Sequence, residues 1–235
     1  MYESSNTLIE PSNNQLLWRY MPLKRLIDLL ETEELFFAHI PTFDDGLEGS
    51  LTVRTREHLF RWFVSQGSMP DIAHMDVQQY ETHYSAFYAS CWHMNNYESY
   101  LMWKAYADRG YAIRTTYERV HTSFEPFVGA ITGGVVNYVD FEHGLTPMGN
   151  VFHHVVTKDL PYVDEREFRL FFWRHDLKNQ AIEPESTGIR VKVDIRRLIE
   201  RVYINPAEDV FPKLLDLLKS HNIECDRSLI TLRKT

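Results

Sequence analysis

The sequence has too few cysteines, glycines and prolines for several classes of protein. Cys91 and Cys225 are the only cysteines among 235 residues, which excludes a disulfide-stapled secreted scaffold. They also lack the paired spacing of a zinc site. Glycine and proline occur only ten times each, so the chain is neither fibrous nor of low complexity. We therefore expect a protein of a reducing compartment and predict a cytoplasmic location.

Long apolar runs and an excess of basic charge are missing as well. No stretch approaches eighteen consecutive apolar residues, and the segment around Glu3 and Asn6 has no basic region followed by an apolar one. We expect neither a membrane span nor a standard secretion signal. The formal net charge of −8 repels phosphate, so we do not expect non-specific binding to nucleic acid.

Apolar and aromatic residues are plentiful, at 44% and 14% of the chain. This composition predicts a packed core, and we expect one domain over residues 1–235 in which residues 1–15 form a polar, flexible leader. Short runs of β-forming residues outnumber what a doubly wound repeat contains. The sequence therefore predicts an α+β fold with mixed, mostly antiparallel sheets and flanking helices.

Hydrophobic periodicity and turn residues place the individual elements. A first strand is predicted at 16–20, and Pro22 then starts an amphipathic helix. Further strands are predicted at 35–39, 84–92, 111–116, 134–139, 164–172, 189–193, 202–204 and 229–232. Further helices are predicted at 53–84, with a break near 67–70, and at 99–107 and 211–220.

Three groups of polar residues suggest sites but have simpler explanations. The loop acids Asp44, Asp45 and Glu48 fit a turn and a helix cap better than a calcium loop. Adjacent histidines on a strand, as we expect at 153–154, point to opposite faces, so no metal is expected there or at His93.

Cys91 lies in an apolar strand, where a buried thiol should be inert because nothing nearby obviously lowers its pKa. His93 shares its predicted strand face. A cysteine hydrolase is therefore a poor choice among the possible functions.

From Trp18 to the C-terminus the chain resembles a widespread, largely bacterial family catalogued as domain-of-unknown-function family 2971. In the acidic loop, Asp44-Asp45-Gly46 stands where that family more often has asparagine, aspartate and proline. The residues that carry the resemblance are Leu17-Trp18-Arg19-Tyr20, Leu35-Phe36-Phe37, Phe43 to Glu48, Ser90-Cys91-Trp92, Met102 to Ala107 with Gly110, and Glu165 to Arg169.

A more distant resemblance implies a chemistry. A basic residue on a first strand, a serine on a middle strand and a Glu-x-Glu pair on a late strand are similar to the arrangement of ADP-ribosyltransferases. Here these are Arg19, Ser90 and Glu165-Arg166-Glu167. The resemblance implies that the protein binds NAD as a substrate and transfers ADP-ribose to a macromolecular acceptor or hydrolyses NAD.

Within this resemblance each residue type has a physical task. Cleavage between nicotinamide and ribose builds positive charge on the sugar, which a carboxylate such as Glu167 stabilises. Alternation along the predicted strand at 164–172 puts Glu165, Glu167 and Arg169 on one face. Glu165 then orients or deprotonates the acceptor. Arg19 grips the pyrophosphate through two hydrogen bonds.

Ser90 is implied to shape the nicotinamide pocket, and one of Tyr88, Trp103 or Tyr106 to stack on the ring. Each of these residues has an alternative role. Ser90 suits simple packing. Trp103 and Tyr106, three apart on a helix, also suit a core stripe.

The charged residues have alternative roles too. Arg19 also suits a strand position whose stem covers apolar surface while its head stays wet. The Glu-x-Glu strand also suits a solvated face whose charges pair with neighbouring strands. The rival function is a non-catalytic ligand-binding or protein-interaction domain on the same scaffold. Bacterial defence or toxin action, associated with such families, suits either function.

Overall fold

A computed structural model describes residues 1–174 and 187–230 of the chain, and this part contains eleven strands and eight α-helices. The strands are β1 Leu16–Met21, β2 Glu34–His39, β3 Phe87–Met94, β4 Tyr111–Thr116, β5 Thr132–Val135, β6 Asn137–Val139, β7 Thr157–Asp159, β8 Glu167–Trp173, β9 Gly188–Lys192, β10 Arg201–Ile204 and β11 Glu224–Arg227. The helices are α1 Leu23–Thr32, α2 Val53–Ser65, α3 Pro70–Glu81, α4 Tyr100–Tyr106, α5 Tyr117–Ser123, α6 Phe152–Val155, α7 Ile195–Leu198 and α8 Pro212–Ser220.

Nine of the strands form one sheet, which confirms the predicted α+β class. The order along the sheet is β11-β10-β4-β1-β3-β2-β9, and β8 joins it by pairing with β3 and β5. All these pairings are antiparallel except that of β10 with β11. β6 and β7 form a separate parallel pair.

The central strand β3 has different neighbours along its length. On one edge it pairs with β8 throughout, from Phe87 to His93. On the other edge it pairs with β2 through Tyr88 and Ala89, and with β1 through His93 and Met94. β1 and β2 therefore diverge on this edge of β3 and leave a gap opposite residues 90–92.

Clusters of buried apolar side chains cover the sheet. α1 begins after Pro22 and ends at Glu33, a left-handed residue, and its apolar stripe places Leu26 and Leu30 in the main core. α4 packs with Trp103 against Trp18 and Tyr20 of β1 in a second cluster. The core-stripe interpretation is thus confirmed for Trp103 but is wrong for Tyr106, which is 48% exposed.

Several predicted element boundaries are wrong. The strand predicted at 164–172 begins only at Glu167, because residues 160–165 form a 3-10 helix ended by Arg166 at a φ of 44°. The predicted strand at 134–139 is divided between β5 and β6. The last strand is β11 instead of 229–232, of which 231–232 lie outside the described residues.

The histidines at 153–154 lie on the short helix α6 and not on a strand. α5, α6, α7 and β7 have no counterpart among the predicted elements.

The first residues of the predicted polar leader pack against the core. Tyr2 is buried and its hydroxyl lies 3.0 Å from that of Tyr117 on α5. The N-terminal ammonium donates a hydrogen bond to the carbonyl of Phe127. Among residues 1–174 and 187–230, no helix combines the length and apolar character required to cross a membrane.

Candidate functional site

A cavity of about 380 Å³ opens where β1 and β2 diverge from β3. We call it the central cleft. Its walls come from β1, β3, β8, the loop after β2, α4 and the segment from β7 to β8. The lining residues that matter here are Arg19, Trp92, His93, Tyr106, Glu165 and Glu167.

Arg19 fills the gap between the diverging strands. One guanidinium nitrogen donates to the Ser90 hydroxyl on β3, and the other donates to the Phe36 carbonyl on β2 at 3.2 Å. The guanidinium carbon lies 5.6 Å from the ring centre of Trp92. Ion pairs of Arg19 are absent from the part of the chain that the structure describes. The arginine head is held in place and not left in bulk water.

Burial without a compensating anion changes the acidity of Arg19. Desolvation lowers its pKa from the ordinary value of 12.5 to about 10. The group is still cationic at neutral pH, and its remaining N–H donors stay available. Because the buried guanidinium has lost much of its hydration, an anionic ligand that pairs with it would be bound favourably.

Glu167, which also lines the cleft, belongs to a buried charged cluster. Arg169, fully buried on the same face of β8, donates from Nε to Glu167 Oε2 at 2.7 Å. The same guanidinium holds both carboxylate oxygens of Glu48 from the loop after β2. The solvated-face interpretation of this strand is therefore wrong: the charges are paired but buried.

Lys158 and Tyr106 complete the cluster around Glu165. Lys158 Nζ lies 2.5 Å from Glu165 Oε2 and 3.8 Å from carboxylate oxygens of both Glu48 and Glu167. The Tyr106 hydroxyl donates to Glu165 Oε1 at 2.7 Å. Both oxygens of Glu165 thus already accept hydrogen bonds.

The cluster keeps the Glu167 carboxylate charged. Burial alone would raise the pKa of Glu167, but the charges of Arg169 and Lys158 outweigh burial and lower it below 4.5. Burial and the bond to Glu165 raise the pKa of Tyr106, so its hydroxyl stays a donor. Burial, reinforced by Glu167, raises the pKa of Cys91 to about 12. This cleft-lining thiol is protonated at neutral pH, as expected.

The structure brings together most, but not all, of the residues predicted for the site. Arg19, Glu165, Glu167 and Tyr106 line the central cleft. Ser90 lies directly behind Arg19 and is fully buried; it also accepts a hydrogen bond from Trp92.

Two predicted aromatic residues are outside the cleft lining. Tyr88 stacks on Phe172 with 5.4 Å between ring centres, and Trp103 packs in the second core cluster.

Strand alternation explains the position of Glu167 but not that of Glu165. Glu167 and Arg169 are two residues apart on β8 and share a face, as predicted. Glu165 precedes the strand. Arg166, which has a left-handed backbone conformation, ends the 3-10 helix there, and the Glu165 side chain joins the same cluster. Strand alternation is expected to bring the two carboxylates together, but the turn at Arg166 does so instead.

Sequence reasoning misses several charged members of the cleft, among them Glu48 and Lys158. The sequence predicts a turn and a cap for the loop acids, and Asp45 does accept a hydrogen bond from the Leu47 amide at 3.0 Å. Glu48 instead pairs with Arg169, and the cap of α2 is Thr52. Lys158 carried no local signal, because its role depends on contacts made only in the folded chain.

His93 shows the most unusual hydrogen bonding in the cleft. It is 2% exposed, and its Nδ1 lies 2.6 Å from the Glu165 carbonyl oxygen. Its Nε2 is buried and has no partner among the described residues. Asp45 Oδ2, also on a residue of the cleft lining, is likewise buried and unpartnered.

A second cavity, of about 600 Å³, lies between α2 and α3. It is larger but contains no predicted site residue. Its charges are paired on the surface, as in the 2.6 Å ion pair of Arg56 with Glu81. Within the described residues, no group of three or more histidine, cysteine, aspartate or glutamate side chains is arranged to hold a metal. The central cleft is therefore the better candidate site.

Comparison with known proteins returns no relative: no family model matches the chain, and neither a curated protein nor a solved structure is significantly similar to it. The resemblances to family 2971 and to ADP-ribosyltransferases remain predictions. The site must be interpreted from its own chemistry.

Proposed function

We propose that this protein binds NAD in the central cleft and breaks the bond between nicotinamide and ribose, so that ADP-ribose passes to a macromolecule or to water. The observation that supports the proposal most strongly is the convergence of Arg19 on β1 with Glu167 on β8. These residues are far apart in sequence but line one cavity. Its volume falls within the range of small-molecule sites.

The cationic end of the cleft suits the pyrophosphate of NAD. Arg19 has no carboxylate partner among the described residues, and its position is secured by Ser90 and the Phe36 carbonyl. Arg25 lines the same cavity. Planar guanidinium groups bind phosphate oxygens through paired hydrogen bonds, so a pyrophosphate would supply the missing anion.

The acidic end suits the reacting ring and sugar. The nicotinamide ring of NAD is a cation, and Glu167 remains ionised in the cluster. When the ribose–nitrogen bond breaks, both electrons leave with nicotinamide, which becomes neutral. The positive charge then moves to the ribose, where a nearby carboxylate stabilises it.

The second carboxylate is better placed to orient an acceptor than to deprotonate it. Glu165 accepts from Tyr106 and Lys158, so both oxygens are already held in position by hydrogen bonds. An attacking water or acceptor group forms the new bond to the ribose and releases its proton to solvent. Tyr106 is the predicted stacking residue that lines the cleft.

The test is the release of nicotinamide from NAD by the wild type, Glu167→Gln and the control Glu57→Gln. Glu57 on α2 has a side chain 60% exposed and lies outside the cleft. We expect Glu167→Gln to release nicotinamide roughly 100- to 1000-fold more slowly. Its melting temperature should still rise with NAD, which shows that the variant is folded. Equal release rates in all three proteins would remove Glu167 from the mechanism.

A non-catalytic ligand-binding or interaction domain is the second candidate. It is favoured by the tight hold of Arg169 on Glu167, which is only 6% exposed. In that case NAD raises the melting temperature of the wild type, but no nicotinamide appears. A role in bacterial defence or toxin action in the cytoplasm is part of the proposal in either case.

A further inference from the structure

A buried polar atom without a partner costs free energy unless a ligand or water satisfies it. Within the described residues, the lining of the central cleft contains two such atoms, His93 Nε2 and Asp45 Oδ2. An ionised carboxylate oxygen only accepts hydrogen bonds. The character of His93 Nε2 depends on which ring nitrogen carries the proton.

The contact of His93 Nδ1 decides this point. Nδ1 lies 2.6 Å from the Glu165 carbonyl oxygen, which can only accept, so Nδ1 carries the proton. In the neutral ring Nε2 is then an acceptor. Desolvation lowers the pKa of His93 below 6.5, which keeps the ring neutral at physiological pH.

We infer that His93 is a binding residue of the central cleft, and that its Nε2 accepts a hydrogen bond from an N–H or O–H group of the ligand. The inference rests on the proposed function, in which the ligand is NAD. NAD offers two donors of this kind near its reacting bond, the carboxamide of nicotinamide and the hydroxyls of the adjoining ribose. Asp45 Oδ2 provides a second acceptor for the same ligand.

Two substitutions separate ligand binding from a purely structural role. His93→Asn keeps a donor near the position of Nδ1, for the Glu165 carbonyl, but has no acceptor at the position of Nε2. His93→Gln reaches the position of Nε2 with its amide oxygen and gives up the bond to Glu165. If His93 Nε2 binds the ligand, NAD should bind weakly to the asparagine variant. If His93 only holds the Glu165 carbonyl in place, NAD should bind weakly to the glutamine variant.

The experiment measures NAD affinity by calorimetry and melting temperature for the wild type and both variants. We expect His93→Asn to bind NAD roughly 2- to 12-fold more weakly, the equivalent of one neutral hydrogen bond, and His93→Gln to stay within about twofold of the wild type. Nitrogen-15 spectra of histidine-labelled protein supply a direct readout. His93 Nε2, identified by its loss in His93→Asn, should be unprotonated and should shift when NAD is added.

Nicotinamide and ADP-ribose, added separately, identify the donor. A shift of Nε2 with nicotinamide assigns the carboxamide, and a shift with ADP-ribose assigns the ribose hydroxyls. The inference alone fails if NAD raises the melting temperature but leaves Nε2 unmoved, or if His93→Asn binds NAD as well as the wild type does. If NAD does not bind the wild type at all, both the inference and the proposed function are overturned.

Discussion

Arg19 on β1 donates a hydrogen bond to the hydroxyl of Ser90 on β3, 71 residues further along the chain. With its second bond, to the Phe36 carbonyl on β2, the guanidinium connects three strands where the sheet divides. The guanidinium therefore bridges the gap between the strands, and because it has no carboxylate partner among the described residues, it can also bind an anion.

Replacing Arg19 by methionine should remove ligand binding with little effect on stability. Ser90 keeps the hydrogen bond from Trp92, and relief of a desolvated charge offsets the lost hydrogen bond to the Phe36 carbonyl, so we expect a change within about 1 kcal/mol. The increase in melting temperature caused by millimolar NAD should disappear. Arg61→Met, on α2 with a side chain 76% exposed, changes the net charge equally and should keep that increase. An undiminished increase in Arg19→Met would contradict the assigned role.

The buried cluster should make Arg169 far more important for stability than a surface arginine. Arg169→Met leaves Glu48 and Glu167 buried with only Lys158 to balance them. We expect a loss of about 3–5 kcal/mol in the free energy of unfolding, measured by urea denaturation. Arg56→Met, which breaks the exposed pair with Glu81, should cost less than about 1 kcal/mol. Similar losses in the two variants would show that Arg169 does not stabilise the protein by balancing the buried charges of Glu48 and Glu167.

Stability should decrease as the solution is acidified. Burial lowers the pKa of His93 and of His154 below 6.5, so below that pH the unfolded chain binds more protons than the folded one. The free energy of unfolding then decreases by up to about 1.4 kcal/mol per pH unit for each histidine. The lowered pKa of Glu167 adds a second loss, which begins below pH 4.5.

Urea midpoints between pH 7.5 and 4 measure this dependence. The charged and polar groups that act on His93 are the Glu165 and Glu167 carboxylates, the Arg166 guanidinium and the Glu165 carbonyl, and the Tyr20 ring packs against the imidazole. His154→Gln should flatten the profile between pH 7 and 5. An equally steep profile in that variant would mean that His154 does not contribute.

Cys91 should resist alkylation although it lines the cleft. Burial raises its pKa to about 12 and that of Cys225 to about 11, so at pH 8 almost no thiolate is present at either position. Iodoacetamide should modify the native protein slowly and the urea-unfolded protein rapidly, as measured by mass spectrometry. Rapid labelling of Cys91 in the native protein would show that its thiol is reactive and would support the cysteine-hydrolase interpretation.

The amino-acid sequence by itself determined the fold class and most of the elements. Apolar residues at helical spacing and proline at the first turn indicate α1, and runs of β-forming residues indicate β1, β2 and β4. These signals are local, since each depends on residues within a few positions of one another. They also placed Glu167 and Arg169 on one strand face, because strand alternation has a period of two.

Only the tertiary structure decided what these charged residues contact. Glu48 and Arg169 are 121 positions apart, and their pairing depends on the order of the strands, which no local pattern records. The meeting of Glu165 with Glu167 depends on a left-handed Arg166, a conformation that a non-glycine residue adopts only when its surroundings impose it. The sequence supplied the chemical groups. The divergence of β1 and β2 from β3, together with burial, decided which of them face one cavity.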